Sequence, residues 1–407
     1  MHVLIIGAGL GGLTLAQSLR KQGTSFEIFE RDTDKDARSQ GWAIALHSII
    51  NRLVSSFPSD MPDLRESTNH LAPLTLPAQI VMYYPENKER VGFQDSADTP
   101  LIRAERYRLR NWLSTDIPIQ WGKRVKRIEH DDQGVTAYFE DGTVAKGDIL
   151  VGADGIKSVV REHLLQRPAE DLLKVVPLAA IVGEMELSGD EFKRQLALGH
   201  SAYTLINPNL GFITFVGMHR ILPDAASGRF FWMIMRPDNT VGDPNHWLQT
   251  ASQKERHDHV MNAVAKLPPK FREIFDLTPV EGIRKQPHVW RDLELNGVPA
   301  SRVVIIGDAA HAMTPFRGEG GYHTFIDAMN LAEALTKLNA EGIANDSAAV
   351  HSAVAEFNAE MLKRGGDSVR FSRASYDEAK KTVKERQPFA YALKQLPEET
   401  IVLEVKA

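Results

Sequence analysis

The sequence predicts an α/β fold: a parallel sheet flanked by helices, an antiparallel sheet domain inserted into it, and helices at the C-terminus. Three observations predict it. Short apolar runs at 3–6 (VLII), 26–29 (FEIF), 149–152 (ILVG) and 303–306 (VVII) end in turn residues, and unbroken runs of that length suit strands buried on both faces of a parallel sheet. From about 172 to 292 the pattern alternates instead, as in 211–218 (GFITFVGM) and 229–236 (RFFWMIMR), with a helical insertion near 245–276. Residues 347–362 then place Val350, Val354, Phe357 and Met361 on one helical stripe.

The elements follow in order. The run at 3–6, helical periodicity over 11–22 and the run at 26–29 make a βαβ unit. A polar, proline-containing segment occupies roughly 60–100. Residues 106–115 suit a helix. Residues 124–146 read as two strands around an Asp-Gln-Gly turn and a third after Asp-Gly. The strand at 303–306 leads to a helix over 321–338. A long helix follows over 345–382, and Gly365-Gly366 is expected to interrupt it.

Composition narrows the function. The chain has 407 residues, 43% of them hydrophobic, which is ample for a large core. Its 48 basic and 53 acidic residues leave a net charge of −5, which argues against a nucleic-acid binder and a basic membrane-surface protein. There is no cysteine, so disulfides, cysteine nucleophiles, Cys-based zinc sites and iron–sulfur clusters are excluded. No apolar stretch is long enough to span a bilayer. A soluble cytoplasmic enzyme, monomer or homodimer, is the expectation.

The N-terminal unit carries Gly7-Ala8-Gly9-Leu10-Gly11-Gly12 between strand and helix. Gly7 permits the tight turn, Gly9 lets the backbone approach a pyrophosphate, and Gly12 allows close helix–strand packing. Glu30 ends the second strand, where a carboxylate accepts hydroxyls of an adenosine ribose. This element by itself leaves NAD and FAD both open. Two further segments decide between them. Residues 147–161 (GDILVGADGIKSVVR) deliver Asp154-Gly155 to a turn that opens a helix. Residues 302–321 (RVVIIGDAAHAMTPFRGEGG) deliver Gly307-Asp308 from a strand, then a glycine-rich loop that opens another helix. A carboxylate at such a strand end can hold the ribityl chain of FAD, and the helix amides can face a flavin carbonyl that gains charge on reduction.

In these three elements and their order, the chain resembles the class A flavoprotein monooxygenases of the para-hydroxybenzoate hydroxylase fold. The likeness covers about 1–340 and is tightest at the ends. It implies an FAD-binding Rossmann-like domain of the glutathione-reductase type, in two parts (1–171 and 293–340). A substrate-binding β-sheet domain (172–292) separates them, and a helical region (341–407) follows. It further implies that Glu30 holds the ribose, that the backbone at Ala43 and Val125 lines FAD, and that Arg110 lies along it. Asp308 would bind the ribitol, Gly320 and Gly321 would present amides to the isoalloxazine, and Asp154 would bridge the FAD and nicotinamide paths. The implied chemistry is reduction of FAD by NAD(P)H, addition of O2 at flavin C4a, and transfer of one oxygen from the hydroperoxide to an aromatic or unsaturated small molecule. No second glycine fingerprint is present for NAD(P)H.

Two residues are candidates for catalysis. His47 has an ordinary pKa suited to deprotonating a phenol. Arg106, one helical turn before Arg110, could reach the same pocket. His311 reads as a buried structural ring. Arg317 and Glu319 flank the glycine loop. Of Tyr203, Thr214, Met218, His219, Trp232 and Met233, alternation should turn half toward the substrate. His257 and His259, two apart on a helix, point away from each other and do not form a metal pair. Two alternatives stay open: an alkene-reducing flavoprotein of the geranylgeranyl reductase type, and a non-catalytic FAD-binding protein. No WxWxIP tract is present, which speaks against halogenation.

Overall fold

The computed structural model describes residues 1–84, 89–207, 210–374 and 391–406. At its centre lies a parallel sheet ordered Val303–Ile305, Ile149–Gly152, His2–Ile6, Ser25–Phe29, Ile119–Gln120. Val3, Leu4 and Ile5 are shut off from solvent, as are Leu150 and Val304. Burial on both faces is why these strands read as unbroken apolar runs. Helices Leu10–Gln22 and Gly320–Ala340 pack against each other beside this sheet. Strands Val125–His130, Val135–Phe139 and Val144–Gly147 form the small antiparallel sheet that their two turns predict.

The second large sheet has seven strands, ordered Leu178–Ser188, Ser227–Pro237, Phe212–Ile221, Ala202–Asn207, Gln79–Tyr84, Glu89–Gln94 and Lys394–Gln395. It is antiparallel except where Ala202–Asn207 runs parallel to Gln79–Tyr84. Three of its strands come from outside 172–292. Residues 79–84 and 89–94, read as part of a polar connecting segment, form two of them. Gln79–Tyr84 is buried along nearly its whole length, so its side chains carry no alternation to betray a strand. The third comes from the C-terminal region, read as helical. Residues 391–406 instead run extended back to the sheet, where Lys394 pairs with Gly92 and Gln395 with Val91. The Arg90 guanidinium donates to the carbonyl of Pro397, and Thr75 N donates to Glu404 O at 3.0 Å. A sheet edge left open is a liability, and this segment covers it.

Helices Gly189–Leu198, Gln253–Val264 and Pro269–Asp276 close the outer face of this sheet around Tyr203, Met218, Phe230 and Trp232. The inner face carries Phe231, Met233, Met235 and Phe215.

Helix Ser347–Ala374 runs unbroken through Gly365-Gly366, contrary to the interruption expected there. The glycines serve packing instead. Any side chain at Gly365 would collide with the ring of His311, so the helix lies directly on that imidazole. The extension to residue 382 expected for this helix lies outside the described residues.

Candidate active site

A cavity of about 910 Å³ runs from the end of the first parallel strands to the inner face of the seven-stranded sheet. It is at the upper end of the range for small-molecule sites. His47, Arg106 and every residue expected to contact FAD except Gly12 line it.

At one end is the glycine loop. Gly7 has φ 105°, and a side chain there would strike the backbone of Ala153. A side chain at Gly12 would strike the Gly7 carbonyl, so Gly12 packs helix on strand rather than facing the cavity. Gly9, the N-cap of helix Leu10–Gln22, has no atom within 4 Å on its Cβ side. Glu30, buried, accepts Ala8 N at 2.9 Å and Asp32 N at 3.1 Å. A carboxylate has about four acceptor positions, so roughly two remain for a ligand. Glu30 thus has a role the sequence did not reveal: it holds the glycine loop.

Arg110 spans the same region from helix Arg106–Leu113. Its Nε donates to Ala8 O at 2.9 Å and its Nη1 to Lys35 O at 3.3 Å. Its Nη2 is buried, 3.8 Å from Glu30 Oε2, and has no hydrogen-bond partner among the described residues. Burial lowers its pKa, and Glu30 opposes that. Val125 begins its strand nearby and is buried against the same end of the cavity.

The middle of the cavity is set by the two acidic turns. Asp154 caps helix Val159–Leu165: its carboxylate accepts Ser158 Oγ at 2.5 Å, Val159 N at 2.8 Å and Val160 N at 3.2 Å. Arg161 ties this turn to the other one, donating to Ile156 O at 2.6 Å and Ala309 O at 3.0 Å. Asp308 opens a one-turn helix and faces the cavity, where its carboxylate accepts no hydrogen bond among the described residues. The surrounding protein raises its pKa, and the Arg106 guanidinium opposes the rise. Arg106 lies open to the cavity, beside Gly41. Its amide donates to Trp42 O at 3.0 Å.

Gly320 and Gly321 begin helix Gly320–Ala340, and their N–H groups have no acceptor within it. Gly321 is packed so closely on Ile44 that a side chain would collide. Ala43 and Ile44 belong to strand Ala43–Leu46, which pairs with Ile102–Glu105. The loop before this helix is braced by Arg317 to Glu319 at 2.9 Å, and by Ser368 Oγ to Glu319 at 2.9 Å.

His311 is the centre of a buried ion-pair network. Its Nε2 is 2.6 Å from Asp327 Oδ2, and Arg364 Nη2 donates to Asp327 Oδ1 at 2.7 Å. Burial works against the charged imidazole, but Asp327 outweighs it and raises the pKa. His323 beside it has the opposite fate: burial and the Arg364 charge push it down to about 4.

His47 follows strand Ala43–Leu46. Its ring stacks on Tyr322 (5.9 Å, 14°) and meets Tyr391 edge-on at 6.2 Å. Its Nδ1 is 3.0 Å from Ser48 Oγ. Burial lowers its pKa, partly countered by Glu319.

Of the six sheet residues singled out, only Met233 lines the cavity. Tyr203 bonds Gln195 at 2.7 Å and Trp232 bonds Thr278 at 2.8 Å on the far side. Met218 lies in the outer core, His219 pairs with Glu105 at 3.2 Å, and Thr214 is buried off the cavity. Their strand neighbours Thr204, Ile213, Phe215 and Phe231 line it instead, because alternation turns them the other way. Sequence reasoning also missed Trp42, which stacks on Phe231 (4.0 Å, 3°) and donates to Glu184 at 3.1 Å. The Arg284 guanidinium also lies over the Trp42 ring, 4.7 Å from its centroid. Arg103 was missed as well. His257 contacts Thr278 O at 3.1 Å while His259 lies on Trp247, so the two point apart.

The residues at the glycine-loop end fit FAD on chemical grounds. Among the described residues, a buried Arg110 nitrogen lacks a hydrogen-bond partner and a helix N-terminus opens on free space at Gly9, while toward the middle of the cavity the Asp308 carboxylate accepts no hydrogen bond. Such a set suits a pyrophosphate and sugar-like hydroxyls.

Comparison with known proteins agrees. Residues 67–349 match the FAD binding domain family, and residues 5–35 match the NAD(P)-binding Rossmann-like domain. The chain is 60% identical, over all of both chains, to the FAD-dependent monooxygenase thnD of Trichoderma harzianum. It shares its fold with a putative FAD-containing monooxygenase of Photorhabdus luminescens (TM-score 0.69, 24% identity, 92% of this chain and 98% of that one). The same holds for 2,6-dihydroxypyridine-3-hydroxylase of Arthrobacter nicotinovorans (TM-score 0.70, 18% identity, 98% and 99%). Fold and site together define a flavoprotein oxidoreductase. The chain belongs to the FAD binding domain family and, within it, to the FAD-dependent monooxygenases. Its cofactor is FAD, and use of NAD(P)H and O2 goes with that family. No helix among the described residues is long and apolar enough to cross a membrane.

Proposed function

We propose that this enzyme oxygenates a largely apolar aromatic or unsaturated small molecule bound under the seven-stranded sheet. One observation carries this reading: a single cavity joins a polar end, bounded by Gly9, Glu30 and Arg110, to an apolar end, bounded by Phe215, Phe231 and Met233. When bound, FAD supplies the redox chemistry that couples NAD(P)H oxidation to O2 activation. The chain's own residues bind, orient and dry the site.

Gly9 and the helix behind it, with Arg110, hold the pyrophosphate. Glu30 accepts ribose hydroxyls, Asp308 accepts ribityl hydroxyls, and the amides of Gly320 and Gly321 face the flavin ring. Ala43 and Val125 line this run with backbone. Arg106 acts through Asp308, keeping it ionised against desolvation by the surrounding protein. Asp154 shapes the turn between the cofactor and the path of the reductant. His47 is the general base. Burial favours its neutral ring, Ser48 engages Nδ1, and Nε2 is left to take a phenolic proton. The Trp42–Phe231 stack excludes water from the apolar end.

The test is incubation with NADPH or NADH, isotopically labelled O2 and a panel of polycyclic phenols, followed by mass spectrometry. One labelled oxygen in the product supports oxygenation. A product that has gained two hydrogens and no oxygen would establish the alkene-reductase reading instead.

A further inference from the structure

Arg103 is a buried cation with no hydrogen-bond acceptor and no ion-pair partner among the described residues. It lies on strand Ile102–Glu105, opposite Ala45, and is 6% exposed. Its backbone is pinned: the carbonyl accepts both His70 N at 3.1 Å and His70 Nδ1 at 2.7 Å. Its guanidinium lines the cavity, 5.8 Å from the centroid of the Phe215 ring. The guanidinium makes no hydrogen bond and no ion pair among the described residues, and its Nε is buried without an acceptor. Burial pulls its pKa down, to about 10, and no carboxylate among the described residues offsets it.

The other buried arginines do not behave this way. Arg161 and Arg302 each donate to two carbonyls, Arg256 to three, and Arg90 to four acceptors. Folded chains rarely bury an arginine unpaired, because desolvation of the charge is costly. The acids that line the cavity are Glu30, Asp154, Asp308 and Glu319, and all lie on the cofactor-binding elements. Around Arg103 the sheet instead offers Phe215, with Thr204 and Met233 as its register neighbours. An apolar floor with one unsatisfied guanidinium is half of a recognition site.

We propose that Arg103 selects the substrate by binding an anionic oxygen, carboxylate or ionised hydroxyl, on an otherwise apolar aromatic molecule. The guanidinium fork presents donors suited to an anionic oxygen, and the dry setting makes that bond strong. The proposal deepens the oxygenase reading, since it names the chemistry of the molecule under the sheet, and it is tested without turnover.

Equilibrium dialysis of the FAD-loaded protein measures two pairs of probes: 2-naphthoate against 2-naphthamide, and 4-nitrophenol, ionised at pH 8, against 4-nitroanisole. Wild type is expected to prefer the anion in at least one pair by about ten- to hundredfold, the value of one charged hydrogen bond. The pair that discriminates tells carboxylate from phenolate. Arg103→Gln abolishes the preference with FAD content unchanged. Arg103→Lys keeps part of it, and guards against misfolding of the first variant. Equal binding of both members of both pairs by wild type overturns the proposal. So does a preference that survives Arg103→Gln. Failure of the oxygenase reading would show separately, as loss of labelled-oxygen incorporation with probe discrimination intact.

Discussion

Gly365 lies directly on the imidazole of His311, in a contact too close for any side chain to enter. His311 in turn pairs with Asp327, whose Oδ2 also accepts Gly307 N at 2.8 Å. The C-terminal helix is thereby keyed to the turn that presents Asp308. Gly365→Ala is expected to lose about 1–3 kcal/mol of stability by overpacking. Gly366→Ala, which meets only the flexible end of Arg370 at 3.5 Å, is expected to be neutral or to gain up to ~1 kcal/mol from helix propensity. Thermal melts of the two variants check this; equal effects would show that the close contact is not what requires glycine at 365.

His323 gives the protein an acid-sensitive window. Its folded pKa of about 4 lies below its ordinary value of 6.5, so the unfolded chain binds the proton first as pH falls. Stability is therefore lost progressively between pH 6.5 and about 4, by roughly 2–3 kcal/mol from this group. His311 has the opposite sign: its raised pKa contributes stability at low pH that is lost as pH rises through its folded value. Urea denaturation at a series of pH values should show a shallower acid slope for His323→Gln than for wild type. An unchanged slope would assign the acid sensitivity to other groups.

Asp308 and Arg106 should be separable by FAD retention. Asp308→Ala is expected to weaken FAD by about ten- to hundredfold through loss of a charged acceptor. Arg106→Met removes the charge that opposes the raised carboxyl pKa, so Asp308 then protonates at higher pH. FAD retention in that variant should fall off at higher pH than in wild type. Fluorescence of released flavin against pH reads both effects, and coincident curves would separate Arg106 from Asp308.

His47→Asn is expected to slow turnover of a phenolic substrate at neutral pH by about 10²–10⁴-fold, the usual contribution of a general base. FAD content should be unchanged, and raising the pH toward ionisation of the phenol should restore much of the rate. Loss of rate at every pH would instead assign His47 to substrate packing against Tyr322.

The sequence by itself determined the cofactor, FAD, and the turns proposed to hold it. Gly7, Gly9, Glu30, Asp154 and Asp308 are legible because their chemistry is local: each sits at a strand end, within a few residues of the turn it serves. The tertiary structure decided the substrate half. In RFFWMIMR both parities are apolar, so hydropathy does not reveal that Phe231 faces the cavity and Trp232 the outer helices. The sheet's membership was hidden for a related reason, since residues 79–84, 89–94 and 394–395 are strands through pairing with distant segments. Arg103 was the least legible residue of all. An arginine on a strand announces nothing about its neighbours, and only the fold brings it beside Phe215 with no hydrogen-bond acceptor or ion-pair partner among the described residues.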